Sequence, residues 1–222
     1  MIPFQIISSG SQGNAVIVND FYMIDCGVSQ KSLETVKDRL CVILLTHRHG
    51  DHFRKSTIKA LAEQRPTLRI ACCNWLAPDL LIAGVPARQI DVLTPGQSYR
   101  YSSMEVTPFE VTHDVPNCGY KLSFPNGKVF YATDCANLHG IEAVGYDLYL
   151  VEANHKTAEI DRKIEDKQAN LEYAYEIRAK EMHLSEEDCN EWLYKNMGPN
   201  SNYVYMHVHQ DKGGTDGKEQ KH

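Results

Sequence analysis

The feature that most constrains this chain is the stretch His47-Arg48-His49-Gly50-Asp51-His52, placed directly after the apolar run Cys41–Thr46. The run, CVILLT, is too short for a typical helix, and its β-branched content predicts a buried strand. A strand that ends in an HxHxDH pattern delivers imidazoles and a carboxylate to one place. Such groups are good ligands for zinc, manganese or iron. Two histidines at i and i+2 leaving a strand end can converge on one ion, and Asp51 and His52 on the next turn can face a second. The bland alternative is a solvated polar loop, and three histidines with an aspartate in so short a span disfavour it.

The rest of the pattern predicts an α/β chain. Strands are expected at Ile2–Ile7, Ala15–Asn19 and Phe21–Asp25, with Asn19-Asp20 as a tight turn. A helix is expected from Gln30 to Arg39 behind an Ser29 cap. Helices near Ser56–Gln64 and Asn74–Ile82 flank a strand at Leu68–Cys72. A second β-rich batch covers Ser98–Tyr101, Glu105–Thr112, Gly119–Phe124, Val129–Thr133 and Asp147–Val151, with a hairpin at Pro125–Lys128. A charged helical stretch, Ala158–Asn196, precedes a last strand at Tyr203–His207. Two batches of strands, each followed by helices, predict two sheets packed face to face with helices outside, a four-layer αββα sandwich. One domain over residues 1–210 is expected. From Asp211 to His222 no apolar residue occurs, which predicts a flexible tail.

Composition sets limits on partners. Lys plus Arg is 23 and Asp plus Glu is 29, a net charge of −6. That balance argues against a protein that grips long nucleic acid over its whole surface, but a local basic rim or bound ions can still serve a phosphate. No apolar run is long enough to span a membrane, and no signal peptide is evident. The seven cysteines lack a CxxC spacing, so reduced thiols in a cytoplasmic protein are expected.

Further motifs resemble one superfamily. Besides the HxHxDH motif, Asp25 in MIDCG, His113 in HDVPNCGY, Asp134 in YATD, His183 in HLS and His207 in YMH follow in order. This set resembles the metallo-β-lactamase fold, and within it the RNase Z-like phosphodiesterase branch. The opening SSGSQGNAVIV, the MIDCGVS and the HLS are most similar to the bacterial YycJ (WalJ) group, described as exonuclease-like. No inserted β-CASP domain and no long exosite arm are present in the sequence.

The resemblance implies two divalent metal ions, zinc or manganese. Metal one would take His47, His49 and His113, metal two would take Asp51, His52 and His207, and Asp134 would bridge them. Ions about 3.5–4 Å apart can clamp the attacking and leaving oxygens of a displacement and lower the pKa of bound water. Asp51 would also hold that water. His183 would stabilise phosphoryl oxygens or protonate the leaving oxygen. Asp25 is expected to orient a ligand histidine through its free N–H rather than to bind metal. His207 and His209 share a strand face, and either can be the last ligand; His207 fits the motif better. His155 also follows a strand end and can line the pocket or serve structure. Cys135, beside Asp134, is expected to point away.

The implied activity is a phosphodiesterase on a nucleic-acid end. The alternative is a phosphodiesterase of small or cyclic nucleotides, with lactam or thioester hydrolysis and a non-catalytic metal module behind it. Lys31, Arg48, Arg54, Lys55, Lys121 and Lys156 are candidates for a basic groove. The loop Ser8–Asn14 is a candidate phosphate contact or a plain turn. A homodimer is possible.

Overall fold

The computed structural model describes residues 2–208. The expected tail, and His209 as a rival to His207, lie outside the described residues. The first sheet runs β1 (Phe4–Ser8), β2 (Ala15–Val18), β3 (Tyr22–Ile24), β4 (Val42–Leu45), β5 (Arg69–Cys73) and β6 (Ile90–Leu93), in that spatial order. Its first three strands are antiparallel, and β3 through β6 are parallel. The second sheet has the order β12-β11-β10-β9-β8-β7, built from β7 (Tyr99–Tyr101), β8 (Met104–Val111), β9 (Asn117–Phe124), β10 (Gly127–Ala132), β11 (Leu148–Glu152) and β12 (Asn202–Met206). Here β10, β11 and β12 are parallel and the remainder is a meander.

Burial defines four layers. One apolar cluster lies between the sheets and includes Val16, Ile24, Leu44, Tyr120, Tyr131 and Leu150. A second joins the first sheet to α1 (Lys55–Gln64) and α2 (Ala77–Ile82) through Ile43, Ile58, Leu61 and Leu80. A third joins the second sheet to α5 (Glu186–Asn196) through Phe130, Tyr149, Cys189 and Trp192. Between β11 and α5 the chain forms α3 (Thr157–Ala169) and α4 (Glu176–Met182). The αββα sandwich is therefore the observed architecture. Among the described residues no helix is long and apolar enough to cross a membrane.

Three local departures have physical causes. The expected helix over 30–39 is two 3-10 turns, Gln30–Leu33 and Lys37–Arg39. Leu33 and Val36 are buried three residues apart, the repeat of a 3-10 turn. Strand β6 was not expected, because IDVL at a sheet edge buries little besides Leu93 and shows no clear alternation. The stretch read as one helical segment is three helices, and Ser185 restarts the last by accepting a hydrogen bond from the Asp188 N–H.

The parallel strands matter most for function. In open α/β sheets, ligands sit beyond the carboxyl ends of such strands. Asp25 follows β3, His47 follows β4, Asp134 follows β10, Glu152 ends β11 and His207 follows β12. Asp25, Asp134 and His207 adopt positive φ, at 59°, 53° and 52°. Residues other than glycine hold that conformation only where the surroundings impose it, and such places cluster at functional sites. Gly27 has a different constraint: a Cβ there would lie 1.6 Å from the Asp51 carbonyl oxygen. Only glycine lets the segment after β3 lie against the turn that carries His49, Asp51 and His52.

Candidate metal centre

Asp25 organises the first side of the site. Its Oδ1 accepts from the Thr46 N–H at 2.9 Å and from Thr46 Oγ1 at 2.8 Å. Its Oδ2 accepts from His52 Nδ1 at 2.7 Å and from the Tyr131 hydroxyl at 3.2 Å. Tyr131 belongs to the other sheet, so one buried carboxylate ties both halves together. Because Thr46 gives its proton to Asp25, its oxygen accepts from His47 Nδ1 at 3.0 Å. These partners leave Nε2 of His47 and Nε2 of His52 as electron-pair donors. His113 is fixed in the same way: its Nδ1 donates to the Met182 carbonyl at 3.3 Å.

Three ring nitrogens then crowd one point. His47 Nε2 lies 3.1 Å from His49 Nδ1, and His113 Nε2 lies 3.4 Å from the same atom. Burial and the neighbouring His52 push the His47 imidazole far below its ordinary pKa, and burial also lowers that of His113. Neutral imidazoles with converging lone pairs are what a divalent ion of borderline softness binds.

The opposite side is rich in carboxylates. Asp134 and Glu152 are buried with His183 and His207, and one ligand atom from each lies within 4.8 Å of the others. Glu152 Oε1 accepts from His183 Nδ1 at 2.6 Å and from His207 Nδ1 at 3.1 Å. Its Oε2 accepts from the N–H of Cys135 at 2.8 Å and of Leu184 at 3.3 Å. Asp134 Oδ1 is 3.2 Å from His207 Nδ1 and 3.7 Å from His183 Nδ1. Burial opposes charge on His207, but Asp134 and Glu152 outweigh it and raise its pKa to about 10. The same contest raises the pKa of His183, through Glu152 first.

Between the two sides, Asp134 Oδ2 is buried, lies 2.8 Å from His52 Nε2 and receives no aligned hydrogen bond. His52 Nδ1 already serves Asp25, so two electron-rich atoms face each other there. Such a contact needs a cation, whether a proton or a metal ion. The orphaned carboxylate oxygen and the three converging imidazoles both fit a metal. His47, His49 and His113 form one group able to hold an ion, and His47, His52 and Asp134 another.

A family model described as the beta-lactamase superfamily domain matches residues 21–207. The chain belongs to this superfamily. It has the metallo-β-lactamase fold, and its buried His/Asp clusters are consistent with a metal site. Exodeoxyribonuclease YycJ of Bacillus anthracis is 26% identical over 167 residues, covering 68% of this chain and 62% of that relative's length. Among solved structures, human tRNase Z, short form, matches with a TM-score of 0.68 at 17% identity, over 95% of this chain and 93% of that one. The metallo-β-lactamase fold protein YhfI from Bacillus subtilis matches with a TM-score of 0.71 at 14% identity, over 94% and 86%.

In this metallo-β-lactamase fold the expected residues are brought together unequally. His47, His49, His52, His113, Asp134, His183 and His207 all face the common centre. Asp51 is at its edge, 26% exposed, with Oδ2 3.6 Å from His52 Nε2 and 3.5 Å from Asn14 Nδ2. Asn14, in the Ser8–Asn14 loop, is fully buried; its own N–H bonds the Asp51 carbonyl, and its Nδ2 lies 2.8 Å from His52 Nε2. Ser9 Oγ accepts from the His207 N–H. The loop therefore braces the turns that carry Asp51, His52 and His207. His155 lines a small cavity of about 130 Å³ beside α3 and α4, and Cys135 is buried in the core under the second sheet.

Glu152 was missed as a site residue. The sequence did carry a signal: an acidic residue closing the wholly apolar strand LYLVE must be buried, and a buried carboxylate needs cationic partners. Asp114 was also missed. Its Oδ1 lies 3.1 Å from His113 Nε2 and 3.5 Å from His49 Nε2, and its Oδ2 is ion-paired with Arg178 of α4. Of the cations expected to form a groove, Arg48 approaches Asp79 at 3.8 Å, Lys156 approaches Glu159 at 3.8 Å, and Lys121 lies over the Phe109 ring.

Proposed function

We propose that the chain is a dinuclear metal-dependent phosphodiesterase that acts on nucleic-acid ends. The observation that carries the reading is the pairing of a three-imidazole cluster with a carboxylate–histidine cluster around Asp134. In this reading His47, His49 and His113 would hold one ion, Asp51, His52 and His207 would hold the other, and Asp134 would serve both. Bound divalent ions would supply Lewis acidity and a water that ionises near neutral pH.

The chain's own groups complete the chemistry. Asp51 orients the attacking water. Glu152 holds His183 by Nδ1 and steadies its charge, leaving Nε2 to serve the substrate. The water gives up a proton to solvent as it ionises; its oxygen then bonds to phosphorus, the bond to the leaving oxygen breaks, and His183 gives that leaving oxygen a proton. Asp25, through Thr46 and His52, keeps two imidazoles from turning. The exodeoxyribonuclease name of one relative and the tRNase name of a structural one support a nucleic-acid substrate.

A substrate panel tests this. Metal-loaded protein, with zinc or manganese, is offered end-labelled DNA and RNA, linear and cyclic dinucleotides, a lactam and a thioester. Release of terminal nucleotides from the polymers is expected. Turnover confined to cyclic or small dinucleotides would move the substrate to the alternative class, and turnover of the lactam or thioester alone would overturn the reading.

A further inference from the structure

Arg178 stands at the rim of the centre in an arrangement that the metal site itself does not need. It belongs to α4, the short helix that ends one residue before His183. Its side chain is 68% exposed, and one guanidinium nitrogen pairs with Asp114 Oδ2. The other oxygen of Asp114 is 3.1 Å from His113 Nε2. A single carboxylate therefore separates the guanidinium from a ring nitrogen of the three-imidazole cluster. Arginine carries five N–H donors in a planar fork, and Asp114 fixes the direction of that fork while leaving donors open to solvent.

As a strut this pair is weak, since exposed ion pairs contribute little to stability. Two other cations of this helical excursion are tied down by its own acids: Lys167 bonds Glu176 at 2.7 Å and Lys180 bonds Asp161 at 2.5 Å. The site is also strongly acidic, with Asp51, Asp114, Asp134 and Glu152 around it. With a net charge of −6, long-range attraction does not bring a polyanion here, so a local cation must meet it.

We propose that Arg178 is a substrate-binding residue that grips the phosphate next to the one being cut, with Asp114 as the group that positions it. This rests on the phosphodiesterase reading above. The contact makes a polynucleotide end a better substrate than an isolated phosphodiester, because only a strand offers a neighbouring phosphate. Recognition by one forked cation reads phosphate and not base, so it gives preference for a strand with little sequence preference.

The test compares wild type, Arg178→Ala and Arg178→Lys, with circular dichroism to confirm folding. Binding of a short fluorescent single strand is followed by anisotropy across a salt series, and turnover is measured on that strand and on bis(p-nitrophenyl) phosphate. Arg178→Ala should weaken strand binding about tenfold, the worth of one charge-assisted contact. Its log–log salt slope should flatten by about 0.7, one phosphate contact on a single strand. Arg178→Lys should keep the slope while losing part of the affinity, since the charge remains and the fork does not. For Arg178→Ala, KM on the strand should rise more than on bis(p-nitrophenyl) phosphate. An unchanged slope and KM in Arg178→Ala would overturn the assignment, as would equal losses on both substrates, which mark a purely structural role. Failure of wild type to hydrolyse either phosphodiester with zinc or manganese would overturn the phosphodiesterase reading instead.

Discussion

The two sides of the centre solve opposite electrostatic problems. On one side His47, His49 and His113 bring three imidazoles together, and burial drives protons off His47 and His113. On the other, Asp134 and Glu152 are buried with His183 and His207 and draw protons onto both rings. The first side supplies neutral lone pairs; the second supplies negative charge and a proton that can be given away. The proposed hydrolysis uses both, and here they are separated by one carboxylate, Asp134.

The sharpest way to break this contrast is to remove a ring from the imidazole side. His49→Ala should lose far more than the about 10–100-fold in metal affinity that an outer partner costs, and nearly all activity with it. Metal content per chain after dialysis checks this. On the other side His183→Ala should behave differently. It should lower kcat by about 10²–10³-fold while metal content stays near normal, by analogy with removing a transition-state donor. If His183→Ala also sheds an ion, the ring is a ligand and the division between the sides fails.

A smaller effect is expected behind the imidazoles. Asp25→Asn keeps the shape but weakens the acceptor of His52 and Thr46, so metal affinity should fall about 10–100-fold with a lesser change in kcat. Competition with a chromophoric chelator measures it. The smallest effect is one of pH. Asp134 and Glu152 raise the pKa of His207 to about 10, so its ring holds a second proton near neutral pH that must leave before a ring nitrogen binds metal. Metal uptake should release protons, and affinity should rise with pH up to about 10, the pKa of His207. Calorimetry in buffers of different ionisation enthalpy should report that release; uptake with no proton release would show that the His207 ring is already neutral.

The same contrast explains what was legible in the sequence. The imidazole side is written almost contiguously, because a single strand end and the turn after it carry His47, His49, Asp51 and His52. The sandwich was legible as well, since each buried strand leaves an apolar run of its own. Glu152 was harder, because it is one acidic letter at the end of an apolar strand and acquires meaning only when α4 brings His183 against it. Asp114 and Arg178 are separated by 64 positions, so no local pattern could join them. The two 3-10 turns over 30–39 differ from the helix expected there, an expectation their apolar spacing allows because it also suits the start of an α-helix.

The hydroxyl of Tyr131 on Asp25 has a consequence for how the molecule is held together. The chain up to β6 builds one sheet and the chain from β7 onward builds the other, so the sequence is divided in the middle like a book at its spine. His47 and His49 lie in one leaf and His113 in the other. An ion held by all three is a clasp across the open edge. A cut in the backbone between Leu93 and Tyr99 would then leave two fragments that gain their common ligand only by closing on each other, and added metal would drive them to rejoin.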